Sequence, residues 1–170
     1  ALGSNLPSKI GNRFENIDHS IFLLQKYKIN LLDKSSFYET PSYPDQKKPK
    51  FINVIISVNS HLNIYEFVDV LFSVENELGR VRNKKNDPRT CDIDIIDYNS
   101  KTLKFMYKNY DLVIPHKNLS MRNFVLYPLK EILPNWKHPQ TNEHITDLIK
   151  KLPEEYKNSI LKIKKPWYNN

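Results

Sequence analysis

The 170-residue sequence predicts an α/β fold of the α+β kind, a split-βαβ sheet with helices packed against it. Three observations carry this expectation. Strand-like and helix-like stretches follow one another roughly as β-α-β-β-α-β. One nine-residue run alternates its side chains between two faces, and two stretches repeat apolar residues at three- and four-residue steps. A chain of this length suits one domain, and it has no Gly/Ser linker, no internal repeat and only three glycines. Residues 1–170 are therefore read as a single unit.

Ala1-Leu2-Gly3-Ser4-Asn5 reads as the end of a strand running into a loop, so the first strand is expected to be incomplete. The chain opens without methionine, and residues upstream of Ala1 are expected. From about Asn12 to Tyr27, the residues Phe14, Ile17, Ile21 and Leu24 mark an amphipathic helix. Ile29 to Tyr38 is a weaker strand candidate. Thr40 to Lys50 contains Pro41, Pro44 and Pro49 and reads as a loop. Phe51 to Asn59 is the clearest strand, with Ile52, Val54, Ile56 and Val58 on one face and Phe51, Asn53, Ile55 and Ser57 on the other. Asn63, followed by Glu66, opens a helix whose stripe is Phe67, Val70, Leu71, Val74 and Leu78 and which Gly79 ends. Arg80 to Arg89 is a basic loop. Cys91 to Tyr98 and Asp111 to Pro115 read as strands. Asn118 or Ser120 is expected to cap a helix running to about Leu133, bent or shortened at Pro128. Ile145, Leu148, Ile149 and Leu152 mark one more helix, so residues 134–170 are expected to form a helical tail. The order is that of a ferredoxin-like sheet, an architecture that hosts unrelated functions.

Composition excludes several classes. No apolar run approaches the roughly 20 residues of a membrane span, so no membrane partner is expected. A single cysteine, Cys91, rules out an internal disulfide framework and a multi-cysteine zinc site. With no signal-peptide pattern, the expected compartment is the cytoplasm. The 26 Lys and Arg against 19 Asp and Glu give +7, which permits an anionic partner without choosing one. The glycine-rich loop of P-loop enzymes and the Gly-x-Ser-x-Gly elbow are both missing.

The strongest local signal is Asp92-Ile93-Asp94. On a strand, residues two apart point the same way, so both carboxylates share a face while Cys91, Ile93 and Ile95 point to the other. Like charges so placed repel unless a cation lies between them, and hard oxygen ligands suit Mg²⁺. Just before them, Arg80, Arg82, Lys84, Lys85 and Arg89 face a single acid, Asp87. A metal–triphosphate would reconcile the two, because the metal neutralises the acids and the guanidiniums clamp phosphate oxygens. His116 and Arg122 could add two more donors. Asn53, an amide amid β-branched residues, needs partners on both its ends, and a heterocycle could provide them. On the residues alone, other readings stay open: a solvated edge strand beside a solvated loop, a basic nucleic-acid or scaffold module, or a small Mg²⁺-dependent transferase with another acceptor. The aspartates count against the second, since they repel a phosphate backbone, and no nucleic acid is expected as partner.

Six stretches carry a resemblance: ALGSN at 1–5, SSFYETPSY at 35–43, FINVIISV at 51–58, VENELGRVR at 74–82, DPRTCDIDIIDY at 87–98 and IPHKNLSMRNFVLYPL at 114–129. In content and order they resemble the 6-hydroxymethyl-7,8-dihydropterin pyrophosphokinase family of folate synthesis, across most of residues 1–133. The resemblance implies a three-layer sandwich on a mainly antiparallel ferredoxin-like sheet with added helices. It also implies transfer of pyrophosphate from ATP to the pterin, with release of AMP, by in-line attack at the β-phosphorus. Asp92 and Asp94 would hold two Mg²⁺ ions, with Arg80 and Arg89 as further catalytic groups. Glu75, Arg82, Ile95, His116 and Arg122 would bind ATP, and Gly3, Thr40, Pro41, Phe51, Asn53 and Phe124 would form the pterin pocket, Phe51 and Phe124 sandwiching the ring. Some members are fused to dihydropteroate synthase, and the resemblance leaves such a fusion open here. One departure stands out: many members carry a Trp in the arginine loop, where this chain has Lys85-Asn86-Asp87-Pro88-Arg89.

Overall fold

The computed structural model describes residues 1–80 and 87–165. The elements run β1 (Leu2–Ser4), α1 (Arg13–Lys26), β2 (Asn30–Lys34), β3 (Phe37–Thr40), β4 (Phe51–Val54), β5 (Ile56–Asn59), α2 (Ile64–Glu77) and β6 (Asp92–Ile93). There follow β7 (Leu103–Tyr107), β8 (Tyr110–Ile114), a 3₁₀ turn (Leu119–Met121), α3 (Asn123–Ile132), α4 (Ile145–Lys151), α5 (Glu154–Asn158) and β9 (Leu161–Ile163). Both long helices start on reciprocal caps. The Asn12 side chain accepts from Phe14 N and Glu15 N while Glu15 returns a bond to Asn12 N, and Asn63 with Glu66 repeats the arrangement. Gly79, at φ +77°, ends α2: its N–H reaches Asn76 O (2.9 Å) and Arg80 N reaches Glu75 O (3.0 Å).

The main sheet has the order β6-β1-β4-β3-β9 with every pairing antiparallel, which is the split-βαβ arrangement extended by one strand. One cross-strand row reads Asp92, Gly3, Asn53, Tyr38. Leu2, Ile52, Val54 and Cys91 pack with Ile17, Leu24, Leu71 and Val74 from α1 and α2. Against the opposite face, α3 and α4 bring Leu126, Leu129, Ile145 and Leu148 onto Ile55. The result is three layers, helix–sheet–helix. The α3 layer is tied down at Glu131, whose carboxylate accepts from Tyr38 OH (2.7 Å), Ser36 Oγ (2.7 Å) and Ser36 N (3.0 Å). Among the described residues, no helix is long and apolar enough to cross a membrane.

Five expectations need correction. Ile29 to Tyr38 holds parts of two strands, β2 and β3, which belong to different sheets. Phe51 to Asn59 is two strands in two sheets, because Ser35 interrupts the ladder: Ile55 N donates to Ser35 Oγ (3.0 Å) and Ser35 N to Ile55 O (2.9 Å). Beyond the break β5 pairs with β2 in a separate ribbon. Cys91 to Tyr98 is regular only at Asp92–Ile93, with Ala1 and Asp94 exchanging two further backbone bonds (2.8 and 3.0 Å). Asp97 then turns the chain, accepting from Ser100 N (2.7 Å) and Trp136 Nε1 (2.7 Å). The third helix begins at Asn123 rather than at Asn118 or Ser120, of which the first precedes and the second lies within a separate 3₁₀ turn, and it passes through Pro128 because burial of Val125, Leu126 and Leu129 outweighs one missing bond. Finally, residues 134–165 are not purely helical: β9 pairs with β3, and Ile163 joins the core.

Ser35→Ala leaves the buried Ile55 N–H without its acceptor and is expected to destabilise the fold by about 1–3 kcal/mol, read from urea denaturation. For Glu131, burial favours the protonated form, but the bonds from Tyr38, Ser36 and Lys162 outweigh it and hold the carboxyl below its ordinary value of 4.5. A depressed folded pKa contributes stability that is complete above the ordinary value and fades as pH falls through the lowered one. The melting-temperature gap between the parent and Glu131→Gln should therefore be constant above about pH 5 and close at lower pH.

Candidate functional site

At the β6 edge, the sheet presents its charged row. Asp92 lies opposite Gly3 on β1, and its two carboxylate oxygens are taken by Arg80 Nη1 (2.6 Å) and Arg89 Nη2 (2.6 Å). Arg80 is held from behind by Glu75, a carboxylate only 2% exposed that also accepts from Ile93 N (2.8 Å). Burial weakens the Arg80 charge, but Asp92 and Glu75 more than compensate and raise its pKa. One residue pair along, Asp94 meets Arg122 Nη1 at 2.5 Å, and Arg122 Nη2 stands 3.0 Å from His116 Nε2. Burial opposes the charge on Asp94, yet the Arg122 guanidinium, with His116, holds its carboxyl below the usual range. Burial and the same guanidinium push the His116 pKa down.

Beside this charged row Gly3 and Asn53 form the floor. A Cβ on Gly3 would stand 3.2 Å from Asn53 Oδ1 and 3.5 Å from Phe51 Cδ1, so a side chain there would fill the space over Asn53. Asn53 is 5% exposed, and its Nδ2 donates to Thr40 Oγ1 (3.0 Å) and Tyr38 O (3.4 Å). Pro41 follows Thr40 at the start of the 41–50 loop. The Phe51 ring is faced by the Arg89 guanidinium (5.2 Å to its centre) and the Phe124 ring by that of Arg122 (5.5 Å). On the other side of Asp94 lies a cleft of about 390 Å³, walled by Val68, Leu71, Ile93 and Ile95 and closed by the β7–β8 hairpin with Lys104 and Asp111.

The structure thus gathers most of the expected residues into three adjoining groups, while Phe124 packs on the α3–α4 cluster beside Arg122. Asp92, Arg80, Arg89 and Glu75 form one, Asp94, His116 and Arg122 a second, and Gly3, Thr40, Phe51 and Asn53 a third. Ile95 and His116 reach the cleft. Arg82 lies outside the described residues. The strand read at Asp111 to Pro115 is β8, whereas its hairpin partner β7 is not evident from the sequence, although Leu103, Phe105 and Tyr107 alternate with polar or exposed positions and Lys108, at φ +51°, turns the chain. Among the described residues no group of three or more His, Cys, Asp or Glu could hold a metal. The donor chemistry of Asp92 and Asp94 fits a hard divalent cation that completes its shell from phosphate and water.

Fold and site together define a small α+β domain with an acid pair, set among guanidiniums, at the edge of its sheet. The family model of "7,8-dihydro-6-hydroxymethylpterin-pyrophosphokinase (HPPK)" matches residues 1–134. The "2-amino-4-hydroxy-6-hydroxymethyldihydropteridine pyrophosphokinase" of Bacillus subtilis is 35% identical over 133 residues, 78% of this chain and 75% of that protein. The "Folic acid synthesis protein fol1" of Schizosaccharomyces pombe is 32% identical over 149 residues, 87% of this chain, which spans only 20% of that protein's length. A crystal structure described as HPPK-DHPS in complex with substrates superposes with a TM-score of 0.64 at 15% identity, covering 86% of this chain and 42% of that one, a likeness of fold. The chain belongs to the 7,8-dihydro-6-hydroxymethylpterin-pyrophosphokinase family.

Removing the Glu75 carboxylate takes a buried partner from both Arg80 and the Ile93 N–H. Glu75→Ala is expected to cost about 3–5 kcal/mol in a denaturant titration, and Glu75→Gln distinctly less.

Proposed function

We propose that this chain transfers the β,γ-pyrophosphoryl group of ATP to the hydroxymethyl oxygen of 6-hydroxymethyl-7,8-dihydropterin, giving the pterin diphosphate and AMP in folate synthesis. The observation that supports it most is the placement of Asp92 and Asp94, among Arg80, Arg89 and Arg122, between an apolar-walled cleft and the cross-strand row of Gly3 and Asn53.

In this reading the adenine packs against Ile95 in the cleft, and the triphosphate runs past His116 and Arg122 toward the arginine segment. Asp92 and Asp94 would hold two Mg²⁺ ions, whose chemistry when bound is to neutralise charge on the phosphate oxygens. The triphosphate competes with Asp92 for the guanidiniums of Arg80 and Arg89, and Arg82 adds a further donor. Glu75 bounds the nucleotide side by aiming Arg80. Across the row, Asn53, Thr40 and Pro41 read the edge of the pterin, Gly3 leaves room for it, and Phe51 and Phe124 pack against its faces. The hydroxymethyl oxygen forms a bond to the β-phosphorus, the bond from that phosphorus to the α,β-bridging oxygen breaks, the hydroxyl proton passes to solvent, and AMP leaves. The residues invoked all lie within 1–124, inside the segment the family model matches. A reducing cytoplasm suits Cys91, which is buried and 3.2 Å from Ser20 Oγ.

AMP release from ATP, measured with and without hydroxymethyldihydropterin, tests the proposal. AMP is expected only with the pterin, and chelation of divalent ions should abolish it. Asp94→Asn is expected to lower turnover on the order of 10³-fold with an unchanged circular dichroism spectrum. AMP formation from ATP alone, indifferent to the pterin, would overturn the assignment.

A further inference from the structure

Asn5 has no role in the reading above, yet its side chain is 2% exposed and both ends of its amide are engaged. Its Oδ1 accepts from the Arg89 N–H (2.7 Å), and its Nδ2 donates to the Ser42 hydroxyl (3.2 Å) and the Pro49 carbonyl (3.0 Å). The main chain adds two more links, since Asn5 N and Leu6 N both donate to the Arg89 carbonyl (3.1 and 3.2 Å). The backbone donor and acceptor of Arg89 are therefore both fixed by residues 5 and 6. On the other side, Ser42 Oγ donates to Pro49 O (2.6 Å), which closes the neck of the 41–50 loop. That loop leaves Thr40 and returns into Phe51.

One planar amide thus joins two segments that meet nowhere near each other in sequence. The first presents Arg89 to Asp92, and the second carries the Thr40 and Phe51 wall. Lys48 and Asp87 also bridge them at 3.8 Å, but both are about a third exposed, where an ion pair contributes little. A buried amide with every partner in place has a single low-energy position, so it transmits geometry rather than merely filling space.

We propose that Asn5 is a positioning residue that fixes the Arg89 guanidinium relative to the Thr40–Phe51 wall and so keeps the phosphate and heterocycle halves of the site in register. The inference rests on the reaction proposed above. Misplacement of a reacting group by about 1 Å can lower a rate by up to about 100-fold, which sets the size of effect expected.

Hydrogen exchange and steady-state kinetics on the parent, Asn5→Ala, Arg89→Ala and the double variant test it. In Asn5→Ala the amides of 41–50 and of 87–90 should exchange faster together. Its kcat should fall about 30-fold in the parent background but less than about threefold where Arg89→Ala is already present. An equal loss in both backgrounds would make the amide a general stabiliser and overturn the proposal, as would faster exchange confined to one segment. If Asn5→Ala does not melt cooperatively, Asn5→Asp replaces it, since it keeps the acceptor for Arg89 N and loses the donor to the loop. It should speed exchange in 41–50 alone and raise the KM for the pterin about tenfold, with kcat within about threefold of the parent. A kcat loss at unchanged KM would overturn the proposal. A parent inactive with ATP and pterin would defeat the assigned reaction, while the exchange pattern still decides whether Asn5 ties the two segments.

Discussion

The site depends on the ladder around β1. This strand is only three residues long, but it pairs on both sides and is the reason Asp92 and Asn53 lie in one row with a glycine between them. The pairing sets both the spacing and the facing of the acid strand, because cross-strand neighbours in an antiparallel ladder share a face. Shift β6 by one residue and Cys91 and Ile93 would exchange places with the aspartates, putting charge into the α1–α2 core. The hydrophobic alternation of Cys91, Ile93 and Ile95 against that core therefore locks the orientation of Asp92 and Asp94.

The same logic explains what the sequence made legible. Period-two and period-three/four patterns reveal elements whose one face is buried, and α1, α2, β4 and the acid pair were all readable on that ground. Hidden features depended on distant partners. The break at Ile55 is made by a serine twenty positions earlier, and β9 is a strand only because β3 offers a free edge. The end of β6 is likewise decided by Asp97 bonding to Trp136. Pro128 misleads for a related reason, since tertiary burial overrides a local rule. Among candidate site residues, the acid pair, the basic segment before it and Asn53 are conspicuous on the residues alone because they break a pattern, whereas Gly3 and Glu75 are implied only by the family resemblance. Of the β7–β8 hairpin only β8 is legible; β7 is not, although it alternates, because nothing in it breaks the run of polar and aromatic residues around it.

Glu75 shows how a buried acid is accommodated. As an acid in the buried stripe of α2, it would ordinarily be an anomaly, and its burial makes sense only with Arg80 and the Ile93 N–H supplied by the turn after Gly79 and by β6. The helix stop and the acid strand thus cooperate to hold one guanidinium. Helix capping, an apparently local matter, is in this way part of how charge is presented at the sheet edge.

The carboxylates and guanidiniums at that edge are matched to one another, Asp92 with two arginines and Asp94 with one. A cleft that answers its own charges has little pull on the small anions that crowd any cell. Inorganic phosphate or citrate would have to break contacts without replacing all of them. In the proposed reaction the guest brings many negative oxygens together with its own counter-ions and can trade with every group at once, so on that reading the paired charges weigh against bystanders before any shape is read.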